Sequence, residues 1–167
     1  TLAYTYTRKA PLYTKPASNV VIQMCAIETA RQGINFPIAT SNIHATFRKD
    51  LVDWGKICNE ILVWDYVIQF QNLVSPFPNF STMQDNINFY IANNVSAVFC
   101  QGNREKGGEF AELRGYLLAK LLWNPQCDMK QEMDDFLTGY YGKAGVYIKR
   151  YIADMEQALK KSKAILS

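Results

Sequence analysis

One short apolar stretch limits how this chain can fold. The run from Ile61 to Val63 ends abruptly in Trp64, Asp65 and Tyr66. Such a run is typical of a strand that is buried on both faces, as in a parallel sheet. Parallel sheets with this architecture present functional residues at the carboxyl ends of their strands, and Asp65 occupies such an end. We therefore expect a functional site where this strand ends.

The residues at this strand end suit the binding of a small polar ligand. A carboxylate accepts hydrogen bonds from hydroxyl groups, while aromatic rings stack on the apolar faces of sugars. We expect the Asp65 carboxylate to point into the site beside Trp64 or Tyr66, partly accessible to water. The alternative is that the two aromatic residues belong to the core and that Asp65 is structural. In that case its carboxylate must be hydrogen-bonded to backbone amides, Lys or Arg.

A strand-then-helix unit recurs along the chain. Alternation over Leu2 to Thr7 predicts a first strand, and continuous apolar runs over 19–26 and 95–100 predict two more beside the run at 61–66. Helical spacing follows Ser41 and Ser81, and it continues through three helices after residue 109. We expect a parallel sheet whose strands lie in the order of the sequence. Four such strands make half of an eight-stranded barrel.

Polar and aromatic side chains should converge at the carboxyl ends of these strands. They are Tyr4, Tyr6, Glu28, Trp64, Asp65, Tyr66 and Gln101. Two carboxylates with aromatic rings in one barrel mouth are what glycoside hydrolysis requires. The alternative is an ordinary four-stranded α/β sheet whose acids serve as loop caps.

Composition excludes several other classes of function. A net charge of +3 is too small to indicate a nucleic-acid partner. Four widely spaced cysteines predict neither a zinc site nor a disulfide framework, and the glycines of 101–108 do not match a nucleotide-binding loop. We therefore expect no metal or other cofactor. No stretch approaches the roughly 20 apolar residues of a membrane span.

Several strings resemble the C-terminal part of a bacterial family known as domain of unknown function 4838. They are ILVWDY at 61–66, PFPN at 76–79, VFCQG at 98–102, GEFAELR at 108–114, YLLAKLLW at 116–123 and FLTGYYG at 136–142. That family resembles glycoside hydrolases of the (β/α)8 barrel type. The resemblance implies a single domain over 1–167, with half-barrel strand and helix units in 1–108 and C-terminal helices in 109–167. The earlier strands would be absent from this chain, which looks like a piece of something longer.

The resemblance also implies roles for individual residues. Glu28 and Asp65 are the candidate catalytic carboxylates, and a further acid is expected on an earlier strand outside this chain. The candidate substrate-binding residues are Tyr4, Tyr6, Trp64, Tyr66 and Gln101. The family often has Glu where this chain has Cys100, and it often has Cys and a His-Pro pair where this chain has Thr29 and the segment 35–37.

The expected partner is a polysaccharide or oligosaccharide, and the expected location is periplasmic or secreted, although this chain carries no signal peptide. Unpaired strand edges should associate with the missing half of the barrel or with another copy, so the isolated chain should be inactive. Two other functions remain open, a non-catalytic carbohydrate-binding module and a structural or interaction module.

Overall fold

Four parallel strands form one sheet in the order of the sequence, as expected. The computed structural model describes residues 1–31, 35–70, 72–102 and 107–162. The strands are β1 (Leu2–Ala3), β2 (Ile22–Cys25), β3 (Ile61–Tyr66) and β4 (Val95–Gln101). In the described part of the chain, β1 and β4 each pair with one neighbour and have one open edge. The α/β class and the parallel sheet are thus confirmed.

Helices connect the later strands and follow the sheet. They are α1 (Ile27–Arg31), α2 (Ala45–Gly55), α3 (Phe80–Ile91), α4 (Ala111–Trp123), α5 (Met129–Tyr141) and α6 (Gly145–Ser162). Asp128 caps the N-terminus of α5, because its side chain accepts hydrogen bonds from the amides of Lys130 and Gln131. Asn79, rather than the expected Ser81, is the residue that precedes the first turn of α3.

The first strand is shorter than its alternating sequence predicts. After Ala3 the chain turns into a short 3₁₀ helix over Thr5–Thr7, and Thr5 adopts a left-handed backbone conformation with φ of 50°. The Thr7 hydroxyl stabilises this turn, because it donates to the Tyr4 carbonyl and accepts from the Tyr4 amide. Tyr4 and Tyr6 therefore lie outside β1, and the prediction of a strand that extends to Thr7 was wrong.

Helices cover one face of the sheet. Alternate strand residues such as Ile22, Met24, Ile61 and Val63 are buried on this face. They pack against apolar side chains of α2 and α3, which include Phe47, Leu51, Ile87 and Tyr90. Each fully buried aliphatic side chain contributes about 1.5–3 kcal/mol, so this layer fixes the sheet on its helices. The remaining helices, α4 to α6, form a second core with α3.

None of the helices in the described residues has the length and hydrophobicity of a transmembrane segment.

A close approach of two backbones joins α5 to α6. A Cβ atom added to Gly145 would lie 2.5 Å from the carbonyl oxygen of Leu137. We therefore expect Gly145→Ala to lower the free energy of unfolding by about 1–3 kcal/mol, because the helices must move apart. Gly139→Ala is the matched control, since its new methyl group meets nothing within 4 Å. In that helix interior it should stabilise by about 0.5–1 kcal/mol. Urea titration of both variants tests the contrast, and equal effects would contradict it.

Candidate functional site

The face of the sheet that α2 and α3 leave uncovered carries aromatic rings. Trp64 pairs with Phe99 across β3 and β4, and Tyr66 pairs with Gln101, so these four side chains project to the same side. We call them the aromatic face. The rings of Trp64 and Tyr66 are nearly parallel, with centroids 6.2 Å apart and an interplanar angle of 19°. The Phe99 ring meets Trp64 edge-on at 4.9 Å and is 49% exposed. The face is therefore a partly open ring platform.

A polar side chain completes this platform. The indole Nε1 of Trp64 donates a hydrogen bond of 2.7 Å to the Oε1 atom of Gln101. This bond satisfies the indole N–H, which usually finds a hydrogen-bond partner in a buried or half-buried Trp. The structure thus brings together three of the predicted ligand-binding residues, Trp64, Tyr66 and Gln101. Phe99 was missed, although its place two residues before Gln101 in a strand puts both on one face.

Glu28 lies just beyond the end of β2, in the first turn of α1. Its Oε1 atom is 2.8 Å from Nη1 of Arg8. Its other oxygen, Oε2, is buried and has no hydrogen-bond partner. A buried carboxylate oxygen without a donor is unfavourable, so this atom is a candidate acceptor for a ligand. The sequence did not indicate Arg8, since no periodic pattern covers the loop that carries it.

The Tyr66 hydroxyl is influenced by the charge of Glu28. Burial raises the pKa of Tyr66 to about 12, and Cys25, Tyr4 and Glu28 all add to this effect. Burial likewise raises the pKa of the Cys25 thiol, which interacts with the same hydroxyl. Tyr4 and Glu28 thus affect the pKa of the Tyr66 hydroxyl, and a ligand site shared by these residues stays a prediction.

Tyr6 is not part of this group of residues. Its side chain is 93% exposed on the 3₁₀ turn, so the structure does not bring it to the aromatic face. The prediction that Tyr6 faces a ligand beside Tyr4 was based on a strand that ends at Ala3.

Asp65 projects from the other face of the sheet. Neighbouring strand residues point to opposite sides, so Asp65 shares the helix-covered side with Ile61 and Val63. Its Oδ1 atom accepts a 2.9 Å hydrogen bond from the Tyr66 amide. The expectation that this carboxylate lies beside the Trp64 or Tyr66 ring was wrong, because it overlooked strand alternation.

The environment of Asp65 is a small polar cleft. Burial raises the pKa of Asp65 to about 6, against the lowering effect of the Tyr66 amide and the Tyr90 hydroxyl. The Tyr90 hydroxyl is buried beside the carboxylate but lacks good hydrogen-bond geometry. A cavity of about 30 Å³ adjoins Asp65, with Asn79, Thr82 and Asn86 in its lining, which is room for about one water molecule. Glu28 does not line this cavity, so the two predicted carboxylates do not share it.

No group of three or more potential metal-ligating side chains occurs within the ranges that the structure describes. The expectation of no cofactor stays a prediction.

Comparison with known proteins agrees with the motif resemblance. A family model described as "Domain of unknown function (DUF4838)" matches residues 1–153. Neither the curated proteins nor the solved structures gave a match to this chain. The family resemblance is confirmed, and the match says nothing about carbohydrates.

Proposed function

This chain belongs to the family described as domain of unknown function (DUF4838), and we propose that it is a carbohydrate-active protein. Its aromatic face would bind a polysaccharide or oligosaccharide as part of a glycoside-hydrolase-like (β/α)8 barrel. The observation that carries this proposal is the platform of Trp64 and Tyr66, with hydrogen-bonding groups of Gln101 and Glu28 nearby. Sugars present apolar C–H faces to flat rings and hydroxyl groups to polar side chains, which matches such a site.

The uncovered face and the open edges of the sheet support the barrel part of the proposal. Parallel strands in sequence order, with helices on one face, are the arrangement of barrel strands. In a closed barrel the aromatic face would line the interior. Leu2 and Phe99, on the strands with open edges, are 54% and 49% exposed. Open edges and exposed apolar side chains favour pairing with further strands, so we propose that the other half of a barrel, or another copy, completes the sheet.

For hydrolysis, Glu28 would be the carboxylate that this chain contributes. Its charge raises the pKa of Tyr66 on the aromatic face, whereas the Asp65 carboxylate lies on the helix-covered side. A second carboxylate would come from the other half of the barrel. The catalytic role predicted for Asp65 stays a prediction, and its position favours a supporting role. A periplasmic or secreted location is part of the same proposal, because it would give access to polysaccharides.

One observation favours a second candidate function, a non-catalytic carbohydrate-binding module. Both retaining and inverting hydrolysis use two carboxyl groups that flank the scissile bond. On the aromatic face of the described chain, Glu28 is the carboxylate identified near Tyr66. Binding without turnover would need the rings and Gln101 alone.

Replacing Trp64 tests both forms of the proposal. We expect Trp64→Ala to weaken oligosaccharide binding about tenfold or more, because ring stacking and burial typically contribute at least about 1.5 kcal/mol. Isothermal titration with neutral hexasaccharides of glucose, xylose, mannose and galactose measures the change. Trp123→Ala is the control, since Trp123 is 91% exposed at the end of α4.

The outcomes separate the two candidates. Equal binding by Trp64→Ala and wild type would remove the aromatic face from the site, and no binding of any hexasaccharide by wild type would contradict the carbohydrate proposal. In a longer chain that includes the other half of the barrel, release of reducing ends that Glu28→Gln abolishes would support the enzyme, whereas binding without such release would support the binding module.

A further inference from the structure

We propose that Arg8 is a positioning residue that holds one oxygen of Glu28 and leaves the other free to accept a hydrogen bond from a ligand hydroxyl group. Asp50, on the far side of the guanidinium, would hold Arg8 in place. This inference rests on the proposed function, because the ligand it concerns is the sugar on the aromatic face.

The Arg8 side chain is fixed by α2. Its Nε atom is 2.8 Å from Oδ2 of Asp50, and its guanidinium carbon lies 6.0 Å from the ring centroid of Phe47. The backbone carbonyl of Arg8 accepts a 2.7 Å hydrogen bond from Nε1 of Trp54. All three partners are on one face of α2, at positions 47, 50 and 54. The loop after β1 is therefore anchored at the residue that contacts Glu28.

The guanidinium of Arg8 joins two carboxylates at once. Nε contacts Asp50 while Nη1 contacts Glu28, each at 2.8 Å. A planar guanidinium presents separate donors in fixed directions, which a Lys ammonium cannot do. Burial lowers the pKa of Arg8, but its bonds to Asp50 and Glu28 more than compensate, so the pKa is raised and the cation is retained. Asp50 thus holds the guanidinium at Nε, and Nη1 orients Glu28.

The orientation leaves the Oε2 atom of Glu28 without a partner. That atom is buried, while the side chain as a whole is 39% exposed. A ligand hydroxyl group that reaches this atom would supply the missing donor. If Arg8 did not occupy Oε1, the carboxylate could rotate freely and the ligand would have to order it at an entropic cost.

Two variants of the full chain test this arrangement, together with a matched control. Arg8→Lys keeps the charge but cannot make both contacts, and Asp50→Asn removes the negative charge that holds the Arg8 guanidinium. Asp53→Asn is the control, because Asp53 is also an ion-paired acid of α2 but its partners are Lys49 and Lys56. The readouts are NMR scalar couplings that report the Glu28 side-chain rotamer and titration with the tightest-binding neutral hexasaccharide.

We expect the couplings to show one Glu28 rotamer in wild type and in Asp53→Asn, and averaged rotamers in Arg8→Lys and Asp50→Asn. Affinity should fall on the order of tenfold in the latter two, the effect of one charge-assisted hydrogen bond. An averaged Glu28 in wild type, or unchanged couplings in either variant that folds, would overturn the inference.

The experiment distinguishes failure of the proposed function from failure of the inference about Arg8. If no hexasaccharide binds wild type, the carbohydrate proposal fails, while the Glu28 couplings still decide whether Arg8 positions the carboxylate. If both variants fail to fold, the wild-type couplings and the resolved guanidinium nitrogen signals of Arg8 decide it, since a freely rotating Arg8 would overturn it.

Discussion

Arg114→Met is expected to lower the free energy of unfolding by about 3–5 kcal/mol, because it leaves a buried carboxylate without its cation. The Arg114 side chain is almost fully buried, and its Nη2 atom lies 2.8 Å from Oε2 of Glu109. The same guanidinium donates to the carbonyls of Phe77 and Glu109 and, at 3.3 Å, to Oδ1 of Asn79. It also stacks over the Phe80 ring, with its carbon 5.0 Å from the centroid. In the variant the oxygen partners lose a hydrogen-bond donor and the ring loses the cation above it.

Urea unfolding at pH 7.5 measures this loss. The double variant Arg114→Met with Glu109→Gln should recover part of it, because the unpaired charge is then gone. Arg150→Met is the matched control, since Arg150 is 83% exposed and lies 3.7 Å from Asp154. That exposed pair should contribute less than about 1 kcal/mol. A loss below about 1 kcal/mol for Arg114→Met would contradict a structural role for the buried cluster.

The contacts of Arg114 link two of the strings on which the family resemblance was based. The string at 108–114 supplies Arg114 and Glu109, and the string at 76–79 supplies two acceptors of Arg114, the Phe77 carbonyl and the Oδ1 atom of Asn79. Asn79 in turn donates to the Val67 carbonyl, one residue beyond β3, at 3.4 Å. The end of the strand that carries Trp64 and Tyr66 is therefore tied through Asn79 to α4.

The order and direction of the strands could be predicted, because each strand after the first is a short apolar run separated from the next by a helical pattern. The length of β1 could not, since the Thr7 hydroxyl ends the alternation by binding the Tyr4 backbone. The face of the sheet from which Asp65 projects could have been predicted from the sequence. Ile61, Val63 and Asp65 alternate with Leu62, Trp64 and Tyr66, so one set had to face the helices.

Contacts between residues far apart in the sequence could not be predicted from the sequence. Arg8 is 20 residues from Glu28 and 42 from Asp50, and it lies in a loop without a repeating pattern. Nothing local to Arg8 distinguishes it from Lys9 or Lys15 of the same loop. Only the folded arrangement of β1, α1 and α2 brings its guanidinium between two carboxylates. The aromatic face, by contrast, could be predicted once the register between β3 and β4 was known.

Asp65→Asn is expected to stabilise the protein at pH 7.5 by about 1–3 kcal/mol, because it removes a charge that the helix-covered side of the sheet disfavours. Burial raises the pKa of Asp65 from its ordinary 3.8 to about 6. The folded state therefore binds the proton more tightly than the unfolded state does. Stability from this group is present below about pH 4 and is lost as the pH rises through 6. The asparagine oxygen can still accept from the Tyr66 amide, so the hydrogen bond need not be lost.

The difference in unfolding free energy between Asp65→Asn and wild type, measured by urea titration from pH 4 to pH 7.5, should be near zero at the acid end and rise through pH 6. Asp53→Asn serves as a control of opposite sign, because hydrogen bonds from Lys49 and Lys56 lower the pKa of Asp53 to about 2. Its removal should cost stability at pH 7.5. A pH-independent loss of stability in Asp65→Asn would contradict the burial argument. Unchanged stability together with lost hexasaccharide binding would instead return Asp65 to the ligand site, as the strand-end position first indicated.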